Sequence, residues 1–362
     1  MRTSNVWLFF MLICLPIAIH AQTKYDKTLK KADSYYEQGS FDKAISTLNK
    51  LKSKTNSKFG ASNKYLPLIS LREARVALAS GSLINFETQI NNTLTHNATI
   101  NGEKSAAYAT ALLEIAAMQN DYGNHVKARN LADEVDRLII DNGLTDENLK
   151  AKVSLVRAEA LIGQGYCKGA LRVLNDVEDF FLKRAVDKVQ TAENGKIVKS
   201  WIPAEELPIR YGDYAKLITL RALALSKMGE LVRADSAFMG ARTWVKKNNR
   251  YLGEFSTYMV FLNYSQSKML AENGLENFGE TESNLGFDNV LADLKKVTKP
   301  SHPLGHDVYR AFLEQLQKDK SNSKYANTKF EYEKVLDKYF KKGSVHYANL
   351  TAIEFDSKLS KD

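Results

Sequence analysis

Apolar and polar positions recur with a helical period along most of the chain, most clearly between residues 30 and 52. Ala32 lies in a segment that ends at Gly39, and Ala44 and Leu48 carry the period into the segment that follows. A helix that ends in a tight turn needs a residue that tolerates the left-handed conformation, and glycine does so without strain. The pattern therefore predicts two antiparallel helices joined at Gly39.

The same unit recurs, and its turn glycines are predicted to be Gly39, Gly81, Gly123, Gly165, Gly229 and Gly274. The first four are 42 residues apart, and the next two steps are 64 and 45 residues. An alanine or serine stands seven residues before each of them. A fixed period of this length indicates a repeat protein, in which each helix pair buries its apolar face against its neighbours.

The unit resembles the tetratricopeptide repeat (TPR) family, because segments 35–51, 161–177 and 225–241 carry its turn glycine, turn hydrophobe and second-helix alanine. The 42-residue step is similar to the kinesin-light-chain-like variety, which often opens a repeat with His-Pro, as at His302-Pro303. The resemblance implies an all-α fold: a right-handed superhelical solenoid of antiparallel helix pairs with a concave inner face. It covers about seven repeats in residues 22–343.

Three segments depart from the repeat, one of which is the irregular, glycine-containing stretch that follows Gly274-Leu275 and runs to Phe287. Phe86 replaces the alanine of one second helix, and the last unit has Asp319-Lys320-Ser321-Asn322 where a turn glycine is expected. Residues 344–362 predict a single closing helix, which either caps the array or starts a further repeat.

Residues 1–21 match a secretory signal peptide with cleavage after Ala21. Arg2 precedes an apolar run from Val6 to Ile19, which is shorter than the ~20 residues of a membrane helix. We therefore expect an exported protein, located in the periplasm, at the cell surface or outside the cell; an uncleaved anchor is the alternative. Cleavage lowers the formal charge from +9 to +8 and leaves Cys167 alone, so no internal disulfide is expected.

The long step between turn glycines reflects an insertion at about residues 187–207. Asn194-Gly195 is a turn signal, and the apolar residues after it predict either a short strand or two extended helices joined by a loop. Trp201 in this insertion is either a contact residue or packed back on the repeats. Cys167 occupies a turn-hydrophobe position, which predicts a small buried side chain rather than a reactive thiol.

The composition excludes several classes of protein. Of 362 residues, 44% are hydrophobic and 26% charged, which is typical of a folded chain, and two cysteines exclude a disulfide scaffold. No phosphate-binding glycine loop, nucleophile elbow or His-Glu-x-x-His pattern occurs. His302 and His306 have a metal-ligand spacing but lack a third ligand. We expect no metal, no cofactor and no catalysis, and the basic charge favours either solubility or attraction to an acidic partner.

The resemblance implies an interaction scaffold that binds a protein or peptide partner on the concave face. The family's groove positions can be assigned in this chain by their distance from the turn glycines. They are Asp33, Tyr36, Arg75, Asn120, Glu159, Lys216, Lys227, Tyr264 and Lys268. Two alternatives stay open: a sensory or docking subunit of a larger signalling or secretion assembly, and a polysaccharide-binding protein that uses the 17 tyrosines and the basic surface. Nucleic acid is not an expected partner.

Overall fold

A computed structural model describes residues 24–186, 189–191, 197–200, 207–248, 257–275 and 286–359. The predicted signal peptide and Trp201 lie outside these described residues. Fifteen helices and one pair of short strands make up the regular structure of the described parts.

The helices follow one another with short connections. The first eight are α1 (residues 24–37), α2 (Phe41–Phe59), α3 (Leu66–Ala79), α4 (Leu83–Asn101), α5 (Ala106–Asp121), α6 (His125–Asp141), α7 (Glu147–Gly163) and α8 (Cys167–Val186). After strands β1 (Val189–Thr191) and β2 (Ile197–Ser200) come α9 (Leu207–Lys227), α10 (Leu231–Lys247), α11 (Thr257–Glu272), α12 (Phe287–Val297), α13 (Pro303–Lys318), α14 (Asn322–Tyr339) and α15 (Val345–Leu359).

Each of the six predicted turn glycines follows the first helix of a pair and adopts a positive φ, between 65° and 85°. At Gly39 the backbone N–H donates to the Tyr36 carbonyl at 2.7 Å, and the next N–H donates to the Tyr35 carbonyl at 2.7 Å. These two bonds form the Schellman motif, which satisfies carbonyls that the helix end leaves without partners. The second helix starts within a few residues, so the turn reverses the chain.

Small side chains let the paired helices approach closely. Ala44, Ala128, Ala170 and Ala234 each lie five residues after a turn glycine and are fully buried. Larger apolar residues such as Leu174 fill the space between neighbouring pairs. Cys167 is buried and unpaired among these side chains, as predicted.

The helices group by their contacts into two compact units, residues 1–100 and residues 101–362. In the first unit, α1, α2 and α3 share a core around Leu48 and Ile69. In the second, consecutive helices pack in sequence, and the first helices α5, α7, α9, α11 and α13 also pack on one another. The predicted all-α fold of sequentially packed helix pairs is confirmed, and its right-handed sense stays a prediction.

One polar link recurs four times at the same phase between successive pairs. A residue thirteen positions after one turn glycine contacts a residue eight positions before the next turn glycine. The linked residues are Lys52 with Glu73, Asp136 with Arg157, Glu178 with Arg221, and Arg242 with Gln266. Each link ties a second helix to the first helix of the following pair.

The insertion contains the predicted short strand. β1 and β2 pair antiparallel, with Val189 opposite Ser200 and Thr191 opposite Ile197. Of the two alternatives, a strand and a pair of extended helices, the structure therefore has the strand. The last helix, α15, packs on α13, and whether it caps the array stays a prediction.

None of the described helices combines the length and the apolar character needed to cross a membrane.

Candidate functional site

The predicted groove residues of the first unit come together on α1 and α3. Arg72 donates two hydrogen bonds to the Asp33 carboxylate, at 2.7 and 2.8 Å. The Arg75 guanidinium lies 5.8 Å from the centre of the Tyr36 ring, a cation–π distance. The structure therefore joins Asp33, Tyr36 and Arg75 in one polar cluster, and adds Arg72, which the sequence did not indicate.

The carboxyl group of Glu37 belongs to the same cluster. Burial raises its pKa, Arg75 acts in the opposite direction, and Asp33 adds to the rise. Two acids of α1, Asp33 and Glu37, thus face two arginines of α3, Arg72 and Arg75.

In the second unit, Glu159 on α7 and Lys216 on α9 form an ion pair at 2.8 Å. The Lys216 side chain keeps 37% of its surface exposed. Burial disfavours its charged form, but Glu159 and Asp121 outweigh that effect and raise the pKa of Lys216. Lys216 therefore carries a fixed positive charge, held between two first helices.

A second set of charges adjoins this pair and was not predicted. Asp213 on α9 accepts a hydrogen bond from Arg184 at 2.8 Å and lies 3.9 Å from the Lys152 ammonium on α7. Burial raises the pKa of Asp213, while Lys152 and Arg184 act to lower it. Partners this far apart in sequence follow from the packing of helices and not from a local motif.

Lys227, at the end of α9, donates to the Ile162 carbonyl of α7 at 3.4 Å. Beside it, the His125 ring packs over Gly163, where an added β-carbon would overlap the ring. Glycine at position 163 thus allows close approach of α6 to α7 at this point. Burial and Lys227 lower the pKa of His125, and Glu159 opposes that shift.

Two of the predicted groove residues, Asn120 and Tyr264, are buried in the structure. Asn120 is 5% exposed, and its amide donates to the Val156 carbonyl at 2.9 Å. Tyr264 is 8% exposed and packs its ring 6.3 Å from that of Phe287. Both lie on first helices, as the repeat phase predicts, and both side chains contact neighbouring helices. Lys268 remains at the surface and lies 3.8 Å from Glu272.

His302 and His306 hold the start of α13 in place. The His302 Nδ1 atom accepts the Leu304 N–H at 3.2 Å, which caps the helix, and burial lowers the pKa of His302 to about 4. His306 stacks on His346 with ring centres 3.7 Å apart and is within 3.1 Å of the Tyr332 hydroxyl. The described residues contain no group of three side chains arranged to hold a metal ion.

The described first helices thus present charged and aromatic side chains on a framework of small apolar residues, which is the arrangement of an α-helical repeat protein. Among solved structures, the chain is similar to two crystal structures from Podosopora anserina, described as a kinesin light chain with nearly identical TPR-like repeats. The identity is 14% in both, with 63% of this chain and 97% of that chain covered and TM-scores of 0.43 and 0.42.

At this identity the similarity says nothing about what the chain binds. No protein-family model and no curated protein matches the sequence.

Proposed function

We propose that the chain is an exported, non-catalytic scaffold of the cell envelope that binds a protein or peptide partner on the surface lined by its first helices. The observation that carries this proposal is the row of paired charges across α7 and α9, in which Glu159 with Lys216 and Lys152 with Asp213 join neighbouring repeats. Charged groups in mutual contact are held in fixed positions, so a partner meets a preorganised surface.

Charge placement favours a polypeptide partner over a small molecule. The surface mixes both signs over successive repeats, and a peptide with alternating charges can match such a pattern along its length. In the first unit, the cluster of Asp33, Tyr36 and Arg75 on α1 and α3 forms a second polar surface. In this surface an aromatic ring lies beside an arginine. Tyrosine and arginine are enriched among the residues that dominate binding energy at interfaces.

The test uses the purified chain from Gln22 as bait against envelope extract and against purified glycans. The variants are Lys216→Glu, which places two acids together, and Tyr36→Ala with Arg75→Ala. Lys168→Glu on the second helix α8 is the matched control, because Lys168 is exposed there.

A specific protein captured by the wild-type chain and by Lys168→Glu, but lost with Lys216→Glu, would support the proposal. Retention on glycans without any protein partner would favour the polysaccharide-binding alternative instead. Capture of a whole multi-subunit assembly would favour the docking-subunit alternative.

Export is part of the proposal and has its own test. Fractionation of cells that express the full chain is expected to yield a product that begins at Gln22 outside the cytoplasm. Full-length protein in the cytosol, with residues 1–21 retained, would contradict the localisation without touching the binding result.

A further inference from the structure

An open cavity of about 340 Å³ lies between α8, α9 and α10 in the second unit. Tyr214 and Ile218 of α9 and Trp244 of α10 form its apolar walls. Its volume is at the lower end of the ~300–1,000 Å³ of ligand pockets, which leaves room for one large side chain.

The cavity is separate from the charged surface of the first helices. Tyr214, Ile218 and Arg221 on α9 are spaced four and three residues apart, so they share one face of the helix. Lys216 and Lys227 are eleven residues apart, about three full turns, and lie on the opposite face. A ligand in the cavity would therefore leave the charged surface accessible.

The aromatic walls are fixed before any ligand binds. The indole N–H of Trp244 donates to the Tyr211 carbonyl at 3.2 Å, and the Trp244 and Tyr214 rings meet edge to face with centres 4.6 Å apart. The Tyr214 hydroxyl bonds to Glu178, which also accepts two hydrogen bonds from Arg221 at 2.7 Å. These contacts hold the two rings together as one wall of the cavity.

The cavity exists because α10 has unusually small residues on this face. Eight residues after their turn glycines, α6 and α8 have Leu131 and Val173, whereas α10 has Ala237. Eleven residues after the glycine, α10 has Gly240, where an added β-carbon would meet no atom within 4 Å. At that position α6 and α8 carry Glu134 and Asp176, and α2 and α4 carry Lys50 and Asn92.

The charge at the rim points to an anionic ligand. Arg221 and Glu178 neutralise each other, so their pair contributes no net charge. Lys247 lines the same cavity, is exposed, and forms no ion pair with any described residue. The rim thus carries one uncompensated positive charge beside an aromatic-lined space.

We infer that this cavity binds a segment of a partner protein that presents an aromatic side chain next to a carboxylate. The ring enters the open space beside Ala237 and Gly240 and packs against the wall formed by Tyr214 and Trp244, where edge-to-face contacts favour aromatic groups. The carboxylate faces the Lys247 ammonium. Exposed Thr243 and Lys247 leave the mouth open to solvent, so a side chain attached to a longer polypeptide can enter.

The probe is the peptide acetyl-Gly-Phe-Asp-Gly-amide, titrated against the full mature chain by ligand-observed NMR. We expect a dissociation constant of about 1 mM, as befits a short fragment. Replacing the phenylalanine of the peptide by alanine is expected to abolish binding. Replacing its aspartate by asparagine is expected to weaken binding about two- to fivefold, the range of an exposed ion pair.

Variants of the protein locate the site. Gly240→Leu fills the cavity and is expected to weaken binding at least tenfold, while Gly240→Ala keeps most of the space and most of the affinity. Lys247→Gln should weaken binding as much as the asparagine peptide does, and its neighbour Lys246→Gln, outside the cavity lining, should not. Circular dichroism of each variant checks that the helices are retained.

Three results would overturn the inference. They are no binding to the wild-type chain, binding unchanged by Gly240→Leu, and free phenylalanine binding as tightly as the peptide. The last would identify a small-molecule site instead. None of these outcomes bears on capture at the charged surface of α7 and α9, so this inference and the proposed function can fail independently.

Discussion

At the scale of single residues, one turn departs from the rule that governs the others. Lys320 connects α13 to α14 with a φ of 54°, and it is the one described residue other than glycine with a positive φ. Its N–H donates to the Gln317 carbonyl at 3.2 Å, and the next N–H donates to the Leu316 carbonyl at 3.0 Å. These hydrogen bonds are the same as in the glycine turns, so the turn has the same backbone conformation. The lysine β-carbon is sterically strained in this left-handed conformation.

We therefore predict that Lys320→Gly stabilises the protein by about 1 kcal/mol, because a residue with a β-carbon pays roughly 1–2 kcal/mol in the left-handed region. The measurement is the midpoint of urea unfolding. Lys318→Gly, inside the last turn of α13, is the control and is expected to destabilise by about 0.5–1 kcal/mol. A Lys320→Gly variant less stable than wild type would show that the lysine side chain contributes more than the strain costs.

The buried histidines make stability depend on pH. In the folded state burial lowers the pKa of His302 to about 4, whereas an unfolded histidine titrates near 6.5. Below pH 6.5 the unfolded chain therefore binds a proton that the folded chain excludes, and stability falls as the pH decreases toward 4.

We predict that the free energy of unfolding decreases between pH 7 and pH 5, with His302 contributing up to about 2 kcal/mol of that loss. His302→Asn keeps a side-chain acceptor at the helix start and removes the titration, since asparagine is a favoured N-cap residue. The variant should lose less stability over this interval when thermal unfolding is followed at both pH values. An identical loss in variant and wild type would place the pH dependence elsewhere.

The sequence also predicted the turn residues more completely than the side chains around them. Positive φ at the six glycines follows from local pattern alone. A second set of glycines could have been predicted in the same way. Gly60, Gly102 and Gly143 follow second helices, repeat at nearly the same step, and also have positive φ. In contrast, the burial of Asn120 depends on the Val156 carbonyl of another helix, and no local pattern contains that contact.

At the scale of helices, a polar link joins neighbouring pairs at the same two positions of the repeat. The same two positions carry Lys52 with Glu73 at one interface, and Asp136 with Arg157 at another. The order of charges is reversed between them. An exchange of repeats would bring like charges together, so these links favour the native order of pairs.

We predict that Arg157→Met destabilises the protein by about 1–3 kcal/mol, because it leaves Asp133 and Asp136 facing each other without the guanidinium that bridges them. Asp136→Asn alone should cost less, and the double variant should show a coupling energy of about 0.5–1.5 kcal/mol in a double-mutant cycle. Urea unfolding of the four proteins gives the cycle. Strict additivity would mean that the link fixes orientation without contributing to stability.

Helix pairing was predictable from the period of apolar residues, but the charged surface was only partly so. Glu159 and Lys216 were both expected on first helices, yet their contact bridges 57 residues of sequence and depends on how α7 crosses α9. The cavity between α8 and α10 arises from small residues that the sequence displays, but its existence depends on the spacing of helices that do not follow each other directly.

At the scale of the whole molecule, the extensive contacts of each helix in the second unit are with helices near it in sequence. α8 packs on α7 and α9, whereas α13 packs on α11, α12, α14 and α15. Stability in such an array is approximately a sum of the contributions of single repeats and their nearest interfaces. The described residues provide no disulfide to couple distant repeats, since Cys167 is unpaired.

This local coupling predicts that damage to one repeat stays near that repeat. Leu174 on α8 is fully buried, and Leu174→Ala is expected to cost about 2–5 kcal/mol. In native-state hydrogen exchange, amide protection should fall in α7, α8 and α9 and change little in α13 and α14. Leu313→Ala, at an equally buried position of α13, is the matched control and should give the reverse distribution. Equal loss of protection in α8 and α13 for either variant would mean that the second unit unfolds as one cooperative block, because a nearest-neighbour array cannot transmit the full cost of a cavity across several intervening helices.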